Sequence, residues 1–440
     1  MPRILHLGLG NFHRAHQAWH TARAGGDWHI TGVVMGNTVL YDALRAQGGA
    51  YHLGIRGPEG LRVERIALHD RLLLARDDPK AVVAAIADPE VAIVTLTVTE
   101  KGYCLGPDGR LDLDHPAIAE DLAYGPRSAI GILTHGLAER STPVTVISCD
   151  NVSGNGGKLR AAVSDLARAA GLPLPTGTRF PDTMVDRITP ATTDAIRAEI
   201  AAASGVEDAA PVLTEAFSEW VIADEFAAPR PAWDKAGVEI VPDVAPFEMR
   251  KLRLLNAAHS YLAYAGLLAG HRYVHEAIAD PELRAGVERL WDEAQATLSE
   301  AVLPTIPAYR RALIGRFSVA DMRHELAQIA NDGSLKLPER LLPLVNGLDA
   351  APQAQHAIAA WVAFVSRAQE RGDQLNDPNA DRIAGSARTA VDTRALCADL
   401  AALIGLPDAA PNWLDSLTAE VEQLRRRSVS RLINPVSCCP

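Results

Sequence analysis

The sequence predicts a two-domain protein whose first half is an α/β domain with a parallel sheet and whose second half is mainly α-helical. Three observations lead to this prediction: a length of 440 residues, short apolar runs alternating with helical stretches in the first half, and loss of strand signals after about Pro246. The length is about three times that of a typical domain. We place the boundary so that residues 1–245 and 246–440 form the two domains.

The apolar runs of the first half predict strands at Ile4–Leu7, Ile30–Met35, Val63–Leu68, Val91–Val98 and Val144–Ser148. Helical composition separates them at Phe12–Ala24, Val39–Ala46, Pro79–Ala87 and Pro126–Glu139. Because fully apolar strands alternate with helices, we expect a parallel sheet. In the second half, segments rich in Ala, Leu, Arg and Glu, such as 281–301 and 351–372, predict helices.

Composition and charge exclude several classes of protein. Acidic residues outnumber basic ones by 11, so neither a nucleic acid nor an anionic membrane is an expected partner. No run reaches ~18 apolar residues, and the first residues lead directly into a strand without the apolar stretch of a signal peptide. The scattered cysteines fit a reducing cytoplasm better than a disulfide framework. They are Cys104, Cys149, Cys397, Cys438 and Cys439.

A glycine turn follows the first predicted strand and opens a helix. Gly8 and Gly10 stand where backbone N–H groups approach a dinucleotide pyrophosphate. His13 replaces the third glycine of the usual pattern, so a plain tight turn is the alternative. Near the end of the second strand Asn37 replaces the acidic ribose ligand, which leaves NAD and NADP both open. The cofactor candidates in the turn are Gly8, Gly10, Asn11, Phe12, His13 and Arg14.

Three histidines, His13, His16 and His20, follow one another at helical spacing. They have no Cys or carboxylate companions, so we predict no metal site. Phosphate contacts by His13 or Arg14, or a plain surface helix, are the remaining interpretations.

The segment 247–266 has helical composition and a glycine of the type that ends helices, Gly266. At α-helical spacing Glu248, His259 and Asn256 lie within about 140° of Lys251, on one face. Residues 254–268 are apolar on nearly all sides, so the helix should be buried and its polar groups should line a site. A buried lysine can lose its proton near the working pH and act as a general base. A solvated lysine beside a core histidine is the alternative.

Polar turns end two buried strands, at 97–103 and 148–151, where α/β sheets bind their ligands. The stretch 180–190 places Asp186 and Arg187 among apolar residues, which predicts either a substrate contact or a structural ion pair. The candidates in the two turns are Thr97, Thr99, Glu100 and Asn151. No Tyr is followed four residues later by Lys, and no Cys/His set suits a catalytic zinc. A metal-free dehydrogenase with a lysine base is the hypothesis that remains.

These motifs resemble the long-chain mannitol dehydrogenase family of polyol and sugar-acid dehydrogenases. The resemblance is carried by residues 8–17, 97–103, 148–151, 180–190 and the pattern Lys251-x4-Asn256-x2-His259. It implies a Rossmann-type dinucleotide domain, a helical substrate domain, and a cleft between them for substrate and NAD or NADP. The resemblance does not decide between the two cofactors, and our expectation favours NAD slightly. Expected partners are a small polyol, ketose or sugar acid, and the expected assembly is a monomer or weak oligomer.

The resemblance also implies roles for individual residues. Lys251 is similar to the general base that takes the alcohol proton, and Asn151 and Asn256 to the pair that stabilises the alkoxide. His259 is similar to a ligand of a substrate hydroxyl. Glu248 is similar to the residue through which the lysine proton reaches solvent.

The segment 328–340 is similar to the fructuronate reductase branch, whose substrate carries a carboxylate. Lys336 and Arg340 are therefore candidate substrate ligands beside Asp186, and two exposed cations at a helix start are the alternative. The predicted activity interconverts a ketose or ketouronate with its polyol or aldonate. The alternative is a non-catalytic NAD(P)-binding redox sensor or scaffold, for which the adjacent Cys438 and Cys439 are the one additional observation.

Overall fold

The computed structural model describes residues 2–57, 59–348, 350–406 and 411–433, with side chains through residue 427. Cys438 and Cys439 lie outside the described residues. The chain divides into two compact units, one ending at Ala245 and the other beginning at Pro246. Within the described ranges, no helix is long and apolar enough to cross a membrane.

The first unit contains eleven described strands. They are β1 (Arg3–Leu7), β2 (His29–Val34), β3 (Tyr51–Gly57), β4 (Gly60–Ile66), β5 (His69–Leu74), β6 (Val91–Leu96), β7 (Thr145–Ser148), β8 (Thr183–Asp186), β9 (Val212–Glu215), β10 (Glu219–Ala223) and β11 (Glu239–Val241). The helices are α1 (Asn11–Ala15), α2 (Gln17–Ala24), α3 (Thr38–Ala46), α4 (Pro79–Ala87), α5 (Pro116–Tyr124), α6 (Ala129–Ala138), α7 (Asn155–Ala170) and α8 (Asp194–Ser204), with 3₁₀ turns at Glu100–Tyr103 and Trp233–Ala236.

A five-stranded parallel sheet with the order β5-β2-β1-β6-β7 forms the centre of this unit. The predicted parallel α/β fold is therefore confirmed. The chain runs outward from β1 through β2 in one direction and continues from β6 to β7 in the other, so the strand order reverses between β1 and β6. Ligands of open α/β sheets bind at the carboxyl ends of the strands beside such a reversal. Here those ends carry Gly8 and Thr97.

The expectation for the run Val63–Leu68 was wrong. Residues 60–66 form β4, which pairs antiparallel with β3 in a separate three-stranded sheet of order β4-β3-β9. The run alternates exposed and less exposed side chains along β4, the period of a half-solvated hairpin rather than a doubly covered strand. The outer strand of the parallel sheet is instead β5, which contains the polar residues His69, Asp70 and Arg71.

The second unit is mainly helical in its described residues, as predicted. Its helices are α9 (Ala245–Arg250), α10 (Ala257–Ala269), α11 (Val274–Ala279), α12 (Pro281–Gln295), α13 (Ile306–Phe317), α14 (Leu326–Ile329), α15 (Gly333–Arg340), α16 (Leu342–Gly347), α17 (Pro352–Arg371), α18 (Ala380–Thr389), α19 (Thr393–Leu403) and α20 (Pro411–Ile433). A π-helix, Lys251–Asn256, joins α9 to α10. The 3₁₀ turns are Leu303–Thr305 and Ala320–Met322.

Helix α10 lies at the centre of the second unit, packed against α11, α12, α14 and α17. Its apolar composition predicts this burial, and ten of its thirteen residues are buried. The expected helix end at Gly266 was wrong: the helix continues to Ala269 and Gly270 ends it with a positive φ. Position 266 requires glycine for a different reason, because Leu326 and Ala277 pack against its backbone and leave no room for a side chain.

The start of α7 provides a test of the packing in the first unit. A Cβ on Gly156 would lie 2.4 Å from the Phe180 carbonyl oxygen and 2.5 Å from that of Pro181, so Gly156→Ala should destabilise the protein by roughly 2 kcal/mol or more. Gly157→Ala is the matched control, because its Cβ would meet no atom within 4 Å. Chemical denaturation measures both variants. Equal stability of the two would contradict this packing.

Candidate active site

The glycine turn after β1 is held close to the loop that follows β6. Gly8 has a φ of +93°, and a Cβ there would lie 2.2 Å from the Thr97 carbonyl oxygen, so both the backbone conformation and the contact require glycine. The Thr97 hydroxyl donates to the Gly8 carbonyl at 2.9 Å. The N–H groups of Gly8 and Leu9 donate to the Val33 carbonyl at 3.0 and 2.9 Å. The turn is therefore fixed by both strands that flank β1.

The backbone at Gly10 is open, in contrast to that at Gly8. A Cβ on Gly10 would have the Gly8 carbonyl oxygen, at 3.6 Å, as its only neighbour within 4 Å among the described residues. Such an opening at the start of α1 suits the close approach of a dinucleotide phosphate to the backbone. The turn therefore fits a nicotinamide dinucleotide.

Two predicted cofactor ligands, Asn11 and Arg14, hold the backbone of this turn in place through hydrogen bonds. The buried Arg14 guanidinium donates to the Gly10 carbonyl at 3.2 Å, to Asn11 Oδ1 at 2.7 Å and to the Ala210 carbonyl. Asn11 Nδ2 donates to Thr192 Oγ1 at 3.1 Å. These contacts hold the turn in shape, and direct phosphate contacts by Asn11 and Arg14 stay predictions.

A buried histidine, His6, supports the same turn from within the sheet. Its Nδ1 lies 2.8 Å from Thr95 Oγ1 and its Nε2 lies 2.9 Å from Thr97 Oγ1. Because the Thr97 hydroxyl hydrogen is given to Gly8, His6 Nε2 carries the proton that Thr97 accepts. Burial lowers the pKa of His6 to about 3, so this chain of hydrogen bonds is neutral and stays intact at neutral pH.

The surface-helix interpretation of His13, His16 and His20 was wrong, because all three are buried. His13 stacks on His6 with ring centroids 3.4 Å apart, and its Nε2 lies 3.0 Å from His69 Nε2. His13 faces the parallel sheet, whereas His16 Nε2 lies 2.9 Å from the Glu219 carbonyl and His20 Nε2 lies 2.9 Å from Ser218 Oγ. No group of three or more metal-ligating side chains occurs in the described ranges. A phosphate contact by His13 stays a prediction.

The remaining predicted cofactor residues lie at exposed or half-buried positions. Phe12 is half-buried and stacks on His16 at 5.0 Å. Asn37 is exposed after β2, where its Oδ1 accepts from Leu40 N at 3.1 Å and caps α3. Glu100 is exposed at the start of a 3₁₀ turn.

The loop 97–103 is held by a residue that sequence reasoning left unassigned, Asp150. Its carboxylate accepts from Val98 N at 3.1 Å, from Thr99 N at 2.8 Å and from the Tyr103 hydroxyl at 2.9 Å. Burial raises the pKa of Asp150 above its ordinary value. Thr99 adopts a φ of +66°, rare for a β-branched residue. Such strain persists where surrounding contacts enforce it and is common at ligand sites.

Asn151 follows Asp150 directly and is exposed at the end of β7. The buried Asn155 fixes this loop, since its Nδ2 donates to the carbonyls of Asp150 at 3.1 Å and Thr183 at 3.0 Å. Its Oδ1 accepts from Thr183 N at 2.9 Å. The position of Asn151 is therefore set by the rigid start of α7. The adjacency of Asp150 and Asn155 to Asn151 is the sequence signal that could have identified them.

Asp186 and Arg187 lie at the end of β8, both buried. The Arg187 guanidinium donates to the backbone carbonyls of Ala15 and Glu215 and lies over the Trp19 ring, 4.3 Å from its centroid. Arg187 therefore cross-links α1 to β9. Asp186 as a substrate ligand stays a prediction.

In the second unit, Lys251 and Asn256 begin and end the π-helix. Ala257 N donates to the Leu252 carbonyl five residues earlier, so residues five apart lie one turn apart on the same side. The α-helical spacing assumed above, which separates Lys251 from Asn256 by about 140°, was therefore wrong. Lys251 is 8% exposed, and Asn256 is half-buried. A lysine amine and an asparagine amide thus lie on the same side of a largely buried helical turn.

His259 lies one turn further along, among cationic groups. Its ring contacts Phe317 and His324, with centroids 5.0 and 5.2 Å away. Its Nε2 is buried without a hydrogen-bond partner among the described residues. Burial, then the charges of His324, Arg316, Arg340 and Lys251, hold the pKa of His259 well below its ordinary value. The ring is therefore neutral.

Arg340 and Lys336 are half-buried, so the interpretation as exposed cations at a helix start was wrong for both. Arg340 ends α15 and donates to the Asn256 carbonyl at 3.3 Å and to Ser260 Oγ at 3.0 Å. Lys336 turns away and donates to the Asn331 carbonyl at 2.7 Å, with Asp332 at 3.7 Å. Arg340 therefore joins the Lys251 helix, whereas Lys336 is held by its own loop.

Glu248 lies in α9, three residues before Lys251, and is half-buried. This short helix is anchored by the buried Arg250, which donates to Thr305 Oγ1 at 2.7 Å and lies over the Tyr309 ring. The segment that carries Glu248 and Lys251 is therefore fixed from both sides.

Models of two protein families match this chain. The mannitol dehydrogenase Rossmann domain matches residues 2–235, and the mannitol dehydrogenase C-terminal domain matches residues 243–424. Together they span most of the chain.

Named relatives agree with these matches. The D-mannonate oxidoreductase of Escherichia coli (strain K12) is 40% identical over 402 residues, covering 85% of this chain and 82% of the relative. A mannitol 2-dehydrogenase of Phaeosphaeria nodorum is 38% identical, covering 87% of this chain and 72% of the relative. The Pseudomonas fluorescens mannitol 2-dehydrogenase, solved with NAD and D-mannitol, superposes with a TM-score of 0.80 at 32% identity, covering 100% of this chain and 95% of that structure.

The two glycines of the first turn should respond differently to substitution. Gly8→Ala places a Cβ against the Thr97 carbonyl and should lower stability by about 2 kcal/mol or more. Gly10→Ala should leave stability nearly unchanged while weakening nicotinamide-dinucleotide binding, because its Cβ enters the open space above the turn. Thermal unfolding and fluorescence titration with NADH measure the two effects. Unchanged NADH affinity in Gly10→Ala would contradict phosphate binding at this turn.

Proposed function

The chain belongs to the mannitol dehydrogenase family, and we propose that it interconverts a ketose or ketouronate with its polyol or aldonate, using Lys251 as general base. Members of this family are oxidoreductases, and the chain is a secondary-alcohol dehydrogenase with a nicotinamide cofactor. The observation that carries the proposal is the alignment of Lys251 and Asn256 along one side of a buried π-helix.

In the oxidative direction, Lys251 removes the proton of the substrate hydroxyl as the carbinol carbon loses hydride. The nicotinamide, when bound, supplies the hydride acceptor. General-base assistance of this kind contributes roughly 10²–10⁴-fold to a rate. A lysine suits the role because its desolvated amine exchanges a single proton without a metal.

Asn256 supplies the oxyanion contact. Its amide N–H donates to the oxygen as negative charge develops there, and a neutral donor does so without competing for the lysine proton. We assign the same kind of donation to Asn151, whose loop is fixed by Asp150 and Asn155.

His259 binds a second substrate hydroxyl through its unpartnered Nε2. Its depressed pKa keeps the ring neutral, so that one ring nitrogen donates and the other accepts. Glu248, three residues before Lys251 in the sequence, passes the lysine proton to solvent.

The first unit binds the cofactor. The open backbone at Gly10 receives the pyrophosphate. Thr97, Thr99 and Glu100 belong to the neighbouring loop after β6, and we assign them to contacts with the cofactor. At the end of β2, Asn37 is positioned to donate to a ribose hydroxyl, and NAD is favoured over NADP because no cation occupies the turn 35–38.

A sugar acid is the favoured substrate class, because Arg340 brings an excess of positive charge to the Lys251 helix. Its guanidinium donates only to a carbonyl and a hydroxyl, and no carboxylate of the described chain lies within ion-pair distance of it. Burial lowers the pKa of Arg340 below its ordinary value. A desolvated cation without a counter-ion is stabilised by an anionic ligand. Asp186 is assigned to a substrate hydroxyl. Lys336, whose amine is held by the Asn331 carbonyl, is assigned at most a long-range attraction for the substrate carboxylate.

The non-catalytic sensor or scaffold is not favoured. A binding module has no need of an aligned lysine and asparagine on a buried π-helix. The relatives that span most of the chain are themselves named as oxidoreductases or dehydrogenases. The cytoplasmic location and the monomer or weak oligomer stay predictions.

Removal of the base tests the mechanism directly. Lys251→Ala should lower kcat by roughly 10²–10⁴-fold, with cofactor affinity and stability retained, and added small primary amines should restore part of the rate. Asn256→Ala should lower kcat by roughly 10²-fold through loss of the oxyanion donor. Lys80→Ala, at an exposed position in α4, is the control. Near wild-type turnover in Lys251→Ala would exclude the lysine as base.

Substrate charge tests the role of Arg340. Arg340→Gln should lower the ratio of kcat/KM for D-fructuronate to that for D-fructose by roughly tenfold or more, since a guanidinium–carboxylate pair is lost. The ratio cancels any general effect of Arg340 on Asn256. Lys336→Gln should change the ratio far less. An unaltered ratio in Arg340→Gln would place the substrate carboxylate elsewhere.

A further inference from the structure

Side-chain hydrogen bonds tie the π-helix, and Arg250 directly before it, to their surroundings in the second unit. Two go outward from arginines: Arg250 donates to Thr305 Oγ1, and Arg253 donates to the Thr297 carbonyl. Two come inward onto helix carbonyls, from Trp291 to Leu254 and from Arg340 to Asn256. The widened turn is thus held by groups outside its own helix.

Such support is needed because a π-helix competes with an α-helix of the same sequence. Bonding between residues five apart is rare and occurs mostly as single turns at functional sites. If the segment were α-helical, Asn256 would lie about 140° around the helix axis from Lys251. The relative position of the base and the amide therefore depends on whatever favours the wider turn.

Trp291 provides one of these hydrogen bonds. Its side chain is fully buried in α12, and its Nε1–H donates to the Leu254 carbonyl at 2.9 Å. Leu254 also accepts from Ala257 N, the amide that makes the bond to Leu252 five residues back. The indole therefore contacts the π-helix at the point where its hydrogen-bond pattern changes.

We propose that Trp291 is a positioning residue that holds the π-helix in register and thereby places Lys251 against Asn256. This inference rests on the proposed function, because it assigns the purpose of the placement to proton removal by Lys251. Trp291 reaches the reacting atoms only through the helix backbone. Its effect should therefore appear in the chemical step and not in cofactor binding.

Trp291→Phe tests the proposal, because it removes the Nε1 donor and keeps an aromatic ring. We expect kcat for polyol or aldonate oxidation to fall tenfold or more, with KM for the cofactor within twofold of the unaltered enzyme. The primary deuterium isotope effect on kcat should rise and the acid limb of the pH–rate profile should shift, since misplacement of the base slows proton and hydride transfer. Activities are divided by the folded fraction from chemical denaturation.

Trp233→Phe is the matched control. Its indole is equally buried, in the first unit, and donates to Thr21 Oγ1 at 3.0 Å. It should lose similar stability while kcat, the isotope effect and the pH profile stay unchanged. If Trp291→Phe does not accumulate as folded protein, Trp291→Tyr fills more of the indole volume, lacks the Nε1 donor and carries the same expectation.

The outcomes separate this inference from the proposed function. Wild-type kinetics in the folded fraction of Trp291→Phe, together with inactive Lys251→Ala, would overturn the positioning role and leave the lysine base in place. Absence of turnover in the unaltered enzyme would overturn both. A fall in kcat with an unchanged isotope effect and pH profile would mark a purely structural tryptophan and also overturn the proposal.

Discussion

The π-helix at Lys251–Asn256 is the constraint on which the catalytic arrangement depends. A regular helix would separate the lysine and the asparagine, whereas the wider turn aligns them and leaves His259 one turn beyond. Burial of α10 supplies the stability that this arrangement requires, because its apolar side chains pack on four neighbouring helices. The polar groups are thus positioned by an apolar framework, as expected for groups that must be both desolvated and fixed.

In the first unit, the main structural requirement is that a ligand can approach the backbone of the glycine turn. The backbone at Gly8 packs against the Thr97 loop, whereas the space beside Gly10 is open. Gly8 therefore sets the shape of the turn, and Gly10 leaves room for a ligand to reach the backbone. The neutral chain from Thr95 through His6 to Thr97 joins two adjacent strand ends without burying a charge. Buried polar side chains also fix the loop that carries Asn151, namely the Asp150 carboxyl group and the Asn155 amide.

The fold class could be predicted from sequence, because apolar runs are local signals. Polar residues in apolar surroundings are local signals of the same kind and supplied the candidate site residues, whose roles stay predictions. The alternation of polar and apolar residues along β4 indicates a hairpin strand with one exposed face. The prediction considered only the apolar residues of this run and therefore placed it in the parallel sheet. The register of the π-helix could not be predicted, because it depends on Trp291 and Arg340, 40 and 89 residues beyond Lys251 in the chain. The inward direction of the three histidines likewise depends on residues distant in the chain, His69 for His13 and residues 218–220 for His16 and His20.

The most direct test of the proposed function is a steady-state screen of the purified protein with NADH and NADPH against D-fructose, D-fructuronate, D-tagaturonate and pentuloses. The nicotinamide absorbance reports turnover. We predict consumption of NADH with a ketouronate as the preferred substrate, consistent with the uncompensated Arg340 beside Asn256. Binding of NADH without consumption by any ketose or ketouronate would contradict the assignment of Lys251 as a catalytic base.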